Sequence, residues 1–389
     1  MSVLLNVLGV GISAVTVTHA GAWLTLSAMA MRRPTPCRPA ERPWRFAVIV
    51  PAHNEEGCIG ETLESLAADE FEPRPELFVV ADNCSDSTAS IARNLGATTL
   101  ERFDSTHRGK AYALDFGIAV VESRAVPPDA YIILDADSTV QPGFFAAIAS
   151  RLDAGAEVVQ AEYRVLSQED ARTRLRALAF TLVHYARPLG AQRLGLGMGL
   201  KGNGMAFRRA LVANGMPGFG ITEDAAASLE LARRGLAASF EPGAVVLGRM
   251  APSYSAAVAQ DRRWEGGRLS MLPRAVLIAA VATSRGRWMA AGAAMDVAAL
   301  PLTVVGLLAG VGLGLAAAGF GSFLFAAAGC LMLVAYPFAG WAAARVPIRD
   351  LGVLAQVPRF VAHKLRVFVS LARSGAPRNW ERTERGGEA

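Results

Sequence analysis

Four cysteines stand in 389 residues, at 37, 58, 84 and 330, and no two share the CxxC spacing of a zinc site. That scarcity excludes a disulfide framework and fits a reducing compartment. The first apolar β-run, FAVIVPA at 46–52, leads into PAHNEE and not into GxGxxG. The close pyrophosphate approach of a dinucleotide-dependent oxidoreductase is therefore missing. No Ser/His/Asp or Cys/His arrangement points to a covalent nucleophile. The net charge of +5 gathers beside apolar segments and not in a patch interleaved with aromatics, which speaks against nucleic acid as a partner. No internal repeat is visible.

Hydrophobic residues are abundant instead. They make up 52% of the chain, and the mean hydropathy is +0.30, high for a wholly soluble protein. The excess is concentrated at 3–31 and 289–344, whereas 40–274 has the composition of a soluble enzyme. Residues 1–32 read as an N-terminal transmembrane helix. A cleaved signal peptide is the alternative, with Ala28 and Ala30 near a small-residue site, but the run lacks a basic start and is too long. Arg32, Arg33, Arg38, Arg42 and Arg45 follow it, and such a cluster marks the cytoplasmic side. The expected organisation continues with a basic linker at 33–45, a cytoplasmic domain at 46–250 and interfacial helices at 251–288. Two transmembrane helices follow within 289–345, at 297–320 and 322–344, each long enough to cross a bilayer. Arg285 and Arg287 precede this pair and Arg345 and Arg349 follow it, which puts a short external turn near Gly321. Residues 351–373 set Arg359, His363, Arg366 and Arg373 against Leu, Val and Phe. That pattern predicts an amphipathic interfacial helix within a terminal unit at 346–389. A fourth span is the alternative, at the cost of placing Arg359, Lys364 and Arg366 in hydrocarbon.

Within the soluble part, apolar runs alternate with helical stretches: FAVIVPA (46–52), ELFVVAD (76–82), YIILDAD (131–137) and VVQAEYRVL (158–166), separated by segments such as ETLESLAADE and KAYALDFGIAVVES. Near-continuous apolar strands imply a sheet covered on both faces, and the alternation implies an α/β fold with a mostly parallel sheet. In such a sheet the ligand lies beyond the carboxyl ends of the strands. Here those ends carry PAHNEE, ADNCSDST and DADS.

Asp135 and Asp137 form a DxD at the end of YIIL. Two carboxylates there suit a hard divalent cation shared with substrate phosphates, although an isolated DxD is more often turn chemistry. Glu223 and Asp224 follow Thr222 in FGITEDAAASLELARRG. The bland expectation is a helix start capped by Thr222; the functional one is a carboxylate that takes a proton from an attacking hydroxyl. Gln260, Arg263 and Trp264 stand in QDRRWEGGR, where an interfacial helix is the plain alternative to a site.

Taken together, PAHNEE, ADNCSD, DAD, TED and QDRRW, in this order over about residues 45–270, resemble family 2 glycosyltransferases of the GT-A fold, the group containing cellulose, chitin and hyaluronan synthases. The resemblance implies a Rossmann-like GT-A sheet flanked by helices and a nucleotide-sugar donor. It implies that Pro51, His53 and Glu55 line the nucleotide site, that Asp82 recognises the base and that Lys110 of HRGKAYAL lies near the donor phosphates. His53 stands where many relatives have Tyr, and Ala81 where many have Asp; a uridine nucleotide is the leading expectation. Asp135 would approach the nucleotide, and Asp137 would hold Mg²⁺ or Mn²⁺ at the diphosphate. Asp224, beside Glu223, would be the general base of a single inverting displacement. Gln260, Arg263 and Trp264 match the QxxRW element at the diphosphate and acceptor side. Gly202 and Gly204 of KGNGMAFRR fall in the acceptor-side region, where a simple turn is the alternative. Trp380, Thr383 and Arg385 of NWERTER are similar to a gating segment, against the alternative of a disordered tail.

Rival readings are a sugar nucleotidylyltransferase, which would release pyrophosphate, a non-catalytic membrane scaffold, and a transporter. The membrane segments and QDRRW oppose the first. Retention of Asp137, Asp224 and QDRRW opposes the second, and the lack of charged interior residues opposes the third. The acceptor is expected to be a membrane lipid or lipid-linked saccharide, with a growing polysaccharide as the alternative and partner subunits possible in that case.

Overall fold

The computed structural model describes residues 1–166, 170–218, 220, 222–250 and 254–375. The expected gating residues Trp380, Thr383 and Arg385 lie outside the described residues. In chain order the elements begin with helix α1 (Ser2–Ala30), strand β1 (Phe46–Ala52), α2 (Ile59–Ala68), β2 (Glu76–Asp82), α3 (Thr88–Asn94), β3 (Thr98–Arg102) and α4 (Lys110–Glu122). There follow β4 (Ala130–Ile133), β5 (Ser138–Val140), α5 (Phe144–Asp153), β6 (Val158–Val165) and α6 (Ala171–Thr181). A π-helical turn (Leu182–Ala186) joins α6 to α7 (Arg187–Arg193). The domain closes with β7 (Met205–Arg208), α8 (Arg209–Val212), α9 (Glu223–Arg233) and β8 (Ser239–Gly248). Beyond it lie α10 (Tyr254–Ser284), α11 (Trp288–Ala298), α12 (Leu302–Ala317), α13 (Phe323–Ala343), a 3₁₀ segment (Ile348–Gln356) and α14 (Val357–Ser374).

The eight strands form one sheet in the order β3-β2-β1-β4-β7-β6-β8-β5. The expectation of a mostly parallel sheet is corrected. β3, β2, β1 and β4 run parallel, as do β6 and β8, but β7 is antiparallel to both β4 and β6, and β5 is antiparallel to β8. The strands that reverse direction at the middle and at one edge are short, four residues in β7 and three in β5, too short to show a period of their own. β1, β2 and β4 are buried almost throughout, with Val48, Ile49, Val50, Val79, Val80 and Ile132 at or near zero exposure. One apolar cluster packs α2 and α5 on one face of the sheet; a second packs α4, α7 and α9 on the other. The architecture is mixed α/β, a GT-A-like sheet between helical layers.

Among the described residues two single helices are long and apolar enough to cross a membrane, α1 and α13. With 29 and 21 residues they extend about 43 and 31 Å at helical rise. The stretch expected as one span at 297–320 is interrupted, and α11 and α12 have the length and composition of a span only as a bent pair. α11 and α12 meet at a 74° bend, and α12 alone has 16 residues. Pro301 cannot continue the hydrogen-bond ladder, and Arg268 Nη2 donates to the freed carbonyls of Asp296 (3.2 Å) and Ala299 (3.1 Å). Asp296 is a charge inside this apolar stretch. Its carboxylate accepts from Lys201 Nζ and from the Gly199 N–H (3.2 Å), so a sequence-distant cation satisfies it. The helix predicted at 351–373 is 3₁₀ up to Gln356 and α-helical only from Val357, as α14, and part of its polar face turns inward. His363 Nε2 and Lys364 Nζ meet Asp261 at 3.0 and 3.1 Å, and Lys364 also meets Glu265 at 3.0 Å.

Candidate active site

The carboxyl ends of β1, β2 and β4 open into one cavity of about 1560 Å³. Its walls include Pro51, His53, Glu55, Asp82, Lys110, Asp135, Asp137, Gly202, Glu223, Asp224, Gln260, Arg263 and Trp264. Residues separated by more than 200 positions in sequence thus share one space.

At the β1 and β2 ends the backbone is sharply turned, with Asn54 and Asn83 at φ of 55° and 54°. His53 Nδ1 lies 2.6 Å from the Asp82 carbonyl oxygen. The Asp82 carboxylate accepts from Arg102 Nη1 (2.6 Å) and Asn83 Nδ2 (3.0 Å). The Glu55 N–H donates to Thr88 Oγ1 at 2.7 Å, and Cys58 Sγ donates to its carboxylate at 3.1 Å. These contacts make a rigid rim of the kind that presents polar groups at fixed positions.

The DxD turn is held from both sides. Thr62 Oγ1 donates to the Ala136 carbonyl at 2.7 Å. Asn203 Oδ1 accepts from the Asp135 N–H at 3.1 Å, while Asn203 Nδ2 donates to Ser138 Oγ at 2.8 Å. Gln160 Nε2 in turn donates to the Asn203 carbonyl at 2.7 Å. Asn203 and Gln160 were not singled out in the sequence; the only signal was the turn-forming GNG in which Asn203 sits. Asp137 is buried, with Ser138 Oγ 3.4 Å from its Oδ1.

Lys110 opens α4 after Gly109, whose φ is 125°. Its Nζ donates to Asp135 Oδ1 at 2.6 Å and to the Gly202 carbonyl, and lies 3.3 Å from Glu223 Oε1. Burial works against the Lys110 charge, but Asp135, Glu223 and Asp224 more than offset it and hold the ammonium above its ordinary range. Burial also raises both acidic groups at the start of α9. The Glu223 carboxyl stays high despite Lys110, with Asp224 beside it adding to the rise. The Asp224 carboxyl is raised although the Ala225 N–H, Lys110, Lys201 and Arg268 favour its ionised form. Two adjacent carboxylates cannot both ionise freely in such a space. The expected Thr222 cap is not made: the Thr222 side chain accepts no capping bond. Asp224 Oδ1 accepts from the Ala225 N–H at 2.8 Å, and the Thr222 side chain lies against Gly267.

Gly202 and Gly204 both have positive φ, 80° and 65°, but they face different neighbours. A Cβ on Gly202 would lie 3.3 Å from Asp224 Oδ2, whereas one on Gly204 would meet Val246 Cγ2 at 2.7 Å and Ala161 Cβ at 2.9 Å. Gly202 keeps room beside the carboxylate; Gly204 lets the turn sit on the sheet.

α10 brings Gln260, Arg263 and Trp264 to the same cavity. Burial pulls the Arg263 pKa down, with Glu223 and Asp135 acting in the opposite sense. Asp261, beside them, is 1% exposed and gripped by Arg176, His363 and Lys364. Burial opposes its charge, yet those three partners hold its pKa at about 2. Trp264 packs near Phe180 and under the Arg176 guanidinium.

Four buried polar atoms bordering the cavity make no hydrogen bond within the described chain: Thr222 Oγ1, Gln260 Oε1, His184 Nδ1 and Arg187 Nε. Among the described residues no group of three or more His, Cys, Asp or Glu side chains could hold a metal. Asp137 with Asp135 nevertheless supplies what a hard cation needs when the remaining ligands are diphosphate oxygens and water. The donor set therefore fits Mg²⁺ or Mn²⁺ held jointly with a substrate.

A family model described as "Glycosyltransferase like family 2" matches residues 43–267. The 4,4'-diaponeurosporenoate glycosyltransferase of Staphylococcus haemolyticus is 36% identical over 104 residues, which are 26% of this chain and 26% of that protein. The "Probable glycosyltransferase YdaM" of Bacillus subtilis is 24% identical over 239 residues, 57% of this chain and 55% of that protein. The chain thus spans about a quarter and about half of the length of these two curated relatives. Among solved structures, the mannosyltransferase PcManGT from Pyrobaculum calidifontis, in complex with GDP-Man and Mn²⁺, shares the fold with a TM-score of 0.58 at 21% identity. The match covers 93% of this chain and 98% of that one.

Proposed function

The chain belongs to the glycosyltransferases like family 2, and from that premise we propose that it is an inverting enzyme. It moves a hexosyl or N-acetylhexosaminyl unit from a nucleotide-sugar, a UDP-sugar first, to a lipid-linked or membrane acceptor. The observation that carries this reading is the meeting of Lys110, Asp135, Asp137, Glu223, Asp224 and Arg263 around one cavity.

In the proposed reaction the nucleotide lies along Pro51, His53, Glu55 and Asp82, and Lys110 steadies the donor side through Asp135. Asp137, with Asp135, would hold the divalent ion, which when bound neutralises charge on the departing diphosphate. The acceptor hydroxyl attacks the anomeric carbon from the face opposite the diphosphate. Its proton passes to Asp224 as the carbon–oxygen bond to the diphosphate breaks with the electron pair leaving on oxygen. A base with a raised pKa accepts that proton more readily than an exposed aspartate. Arg263 and Gln260 border the space left for diphosphate and acceptor. Arg32, Arg33, Arg38, Arg42 and Arg45 are exposed directly after α1, which supports a cytoplasmic catalytic domain at an inner or plasma membrane.

The presence of Gln260, Arg263 and Trp264 in the cavity wall favours, as a second reading, extension of a polysaccharide of the cellulose, chitin or hyaluronan synthase type. Proton NMR of the first product separates the readings. A single sugar on lipid with inverted anomeric configuration is the expected result. A repeating glycan would select polymer extension, and a retained anomer would contradict the single displacement.

A further inference from the structure

The cavity does not end at the carboxylates. Besides Lys201, Arg268 and Asp296 its lining takes in a largely apolar arm, including Leu302 and Gly306 of α12, Leu333 and Phe338 of α13, and Phe360 of α14. Several wall residues are also exposed apolar side chains: Leu302 at 40%, Val334 at 59% and Phe338 at 49%. The arm therefore opens onto the surface that α12 and α13 present. In water such exposure is costly at about 25 cal/mol per Å², whereas against lipid it is not.

We propose that this arm holds the hydrocarbon chain of the acceptor, an amphiphile entering sideways from the bilayer, so that its polar head reaches Asp224 while its tail lies between α12, α13 and α14. The proposal deepens the transferase reading and rests on it. Three observations define the occupant. Lys201, Arg268 and Asp296 stand together, with Lys201 and Arg268 near enough to Asp224 to favour its ionised form, so a polar head is satisfied beside that carboxylate. The lining on α12, α13 and α14 is mainly hydrocarbon; Thr303 and Tyr336 bring hydroxyls, while Trp341 Nε1 and Lys364 Nζ are engaged by the Leu178 carbonyl and Glu265, so a glycan threaded through it would leave most of its hydroxyls unmet. The wall itself is fixed: Arg268 holds the α11–α12 bend by its carbonyls, and Lys364 anchors α14 to α10 through Glu265. A preformed apolar slot joined to a reactive carboxylate fits one end of an amphiphile at each place.

Gly306 supplies the test. A Cβ built there meets no heavy atom within 4 Å, and the same holds at Gly310, but Gly306 borders the cavity and Gly310 does not. The full-length protein in phosphatidylcholine nanodiscs is photolysed with a diazirine-bearing hexadecanol, and the labelled peptides are mapped by mass spectrometry. Wild type is expected to label at 302–307 and 333–338. Gly306→Phe should lower that labelling at least tenfold, Gly306→Leu by an intermediate factor, and Gly310→Phe not at all. Binding of UDP or GDP, read separately on each variant, reports whether it is folded. Equal labelling of wild type and both Gly306 variants would overturn the proposal, as would labels confined to outward residues such as Leu324 and Leu331. Displacement of the label by a soluble cello-oligosaccharide and not by hexadecanol would assign the arm to a glycan. Arm labelling that persists while wild-type protein shows no sugar transfer would overturn the transferase reading and leave the apolar arm standing.

Discussion

Replacing Lys110 with Met removes the ammonium that Asp135 and Glu223 share at 2.6 and 3.3 Å. The three side chains are 20%, 31% and 11% exposed, so solvent screens them poorly. Breaking a buried pair by deleting one partner costs about 3–5 kcal/mol, and proton uptake by Glu223 returns part of that. A loss of about 3 kcal/mol lowers the apparent Tm by roughly 6–12 °C for a domain of 150–250 residues. Lys110 also favours the ionised forms of Glu223 and Asp224, so without it both carboxyls rise further and the acid limb of the rate moves to higher pH. The assay pairs thermal unfolding in detergent with the pH profile of nucleoside-diphosphate release, beside Lys110→Arg, which keeps the charge and should keep more of both. A Tm within 2 °C of wild type together with an unmoved acid limb would refute the claim that Lys110 organises the carboxylates.

Other consequences follow from the same geometry. Asp261→Asn removes the carboxylate that Arg176, His363 and Lys364 share and should cost about 3 kcal/mol, with faster hydrogen exchange in α14 as the local readout. Because the Asp261 pKa is lowered to about 2 from an unfolded value of about 3.9, its stabilisation is complete above pH 4 and is lost as pH falls toward 2. Gly204→Ala forces a Cβ against Val246 and Ala161 at a positive φ and should destabilise by about 1–3 kcal/mol, read by denaturant unfolding. In wild type, release should rise with pH through the Asp224 pKa, because only the ionised carboxylate accepts a proton. Burial raises that pKa, so the rise should sit above the range of an exposed aspartate; a limb at the ordinary carboxylate range would argue that another group is the base.

Much of the sheet was legible because long buried strands announce themselves. FAVIVPA and ELFVVAD coincide with β1 and β2, and their ends carry the polar residues that line the cavity. β3 was not legible: TTLER is an edge strand with no fully buried residue, and its pattern is that of a loop. β5 and β7 were too short, and with them went the antiparallel middle of the sheet. The site residues were visible as acidic strand ends and a helix start, but the side chains that position them were not. Asn203 and Gln160 act through hydrogen bonds across 43 or more positions, and no local pattern encodes such a partner. The α11–α12 bend was missed for a related reason. Composition read through Asp296 and Pro301 as one apolar run, whereas Arg268 and Lys201, from two other segments, supply the contacts that make a break there tolerable.

The most direct test of the account is nucleoside-diphosphate release by detergent-purified protein over a panel of UDP- and GDP-sugars, with membrane lipid extract as acceptor and with Mg²⁺, Mn²⁺ or chelator. Wild type is predicted to release diphosphate from one donor only when metal is present. Asp137→Ala is predicted to lose that release together with metal-dependent donor binding, and Asp224→Asn to lose release at least a hundredfold while still binding donor, in line with removal of a general base. Release by Asp224→Asn at the wild-type rate would contradict the assignment of this carboxylate and, with it, the proposed chemistry.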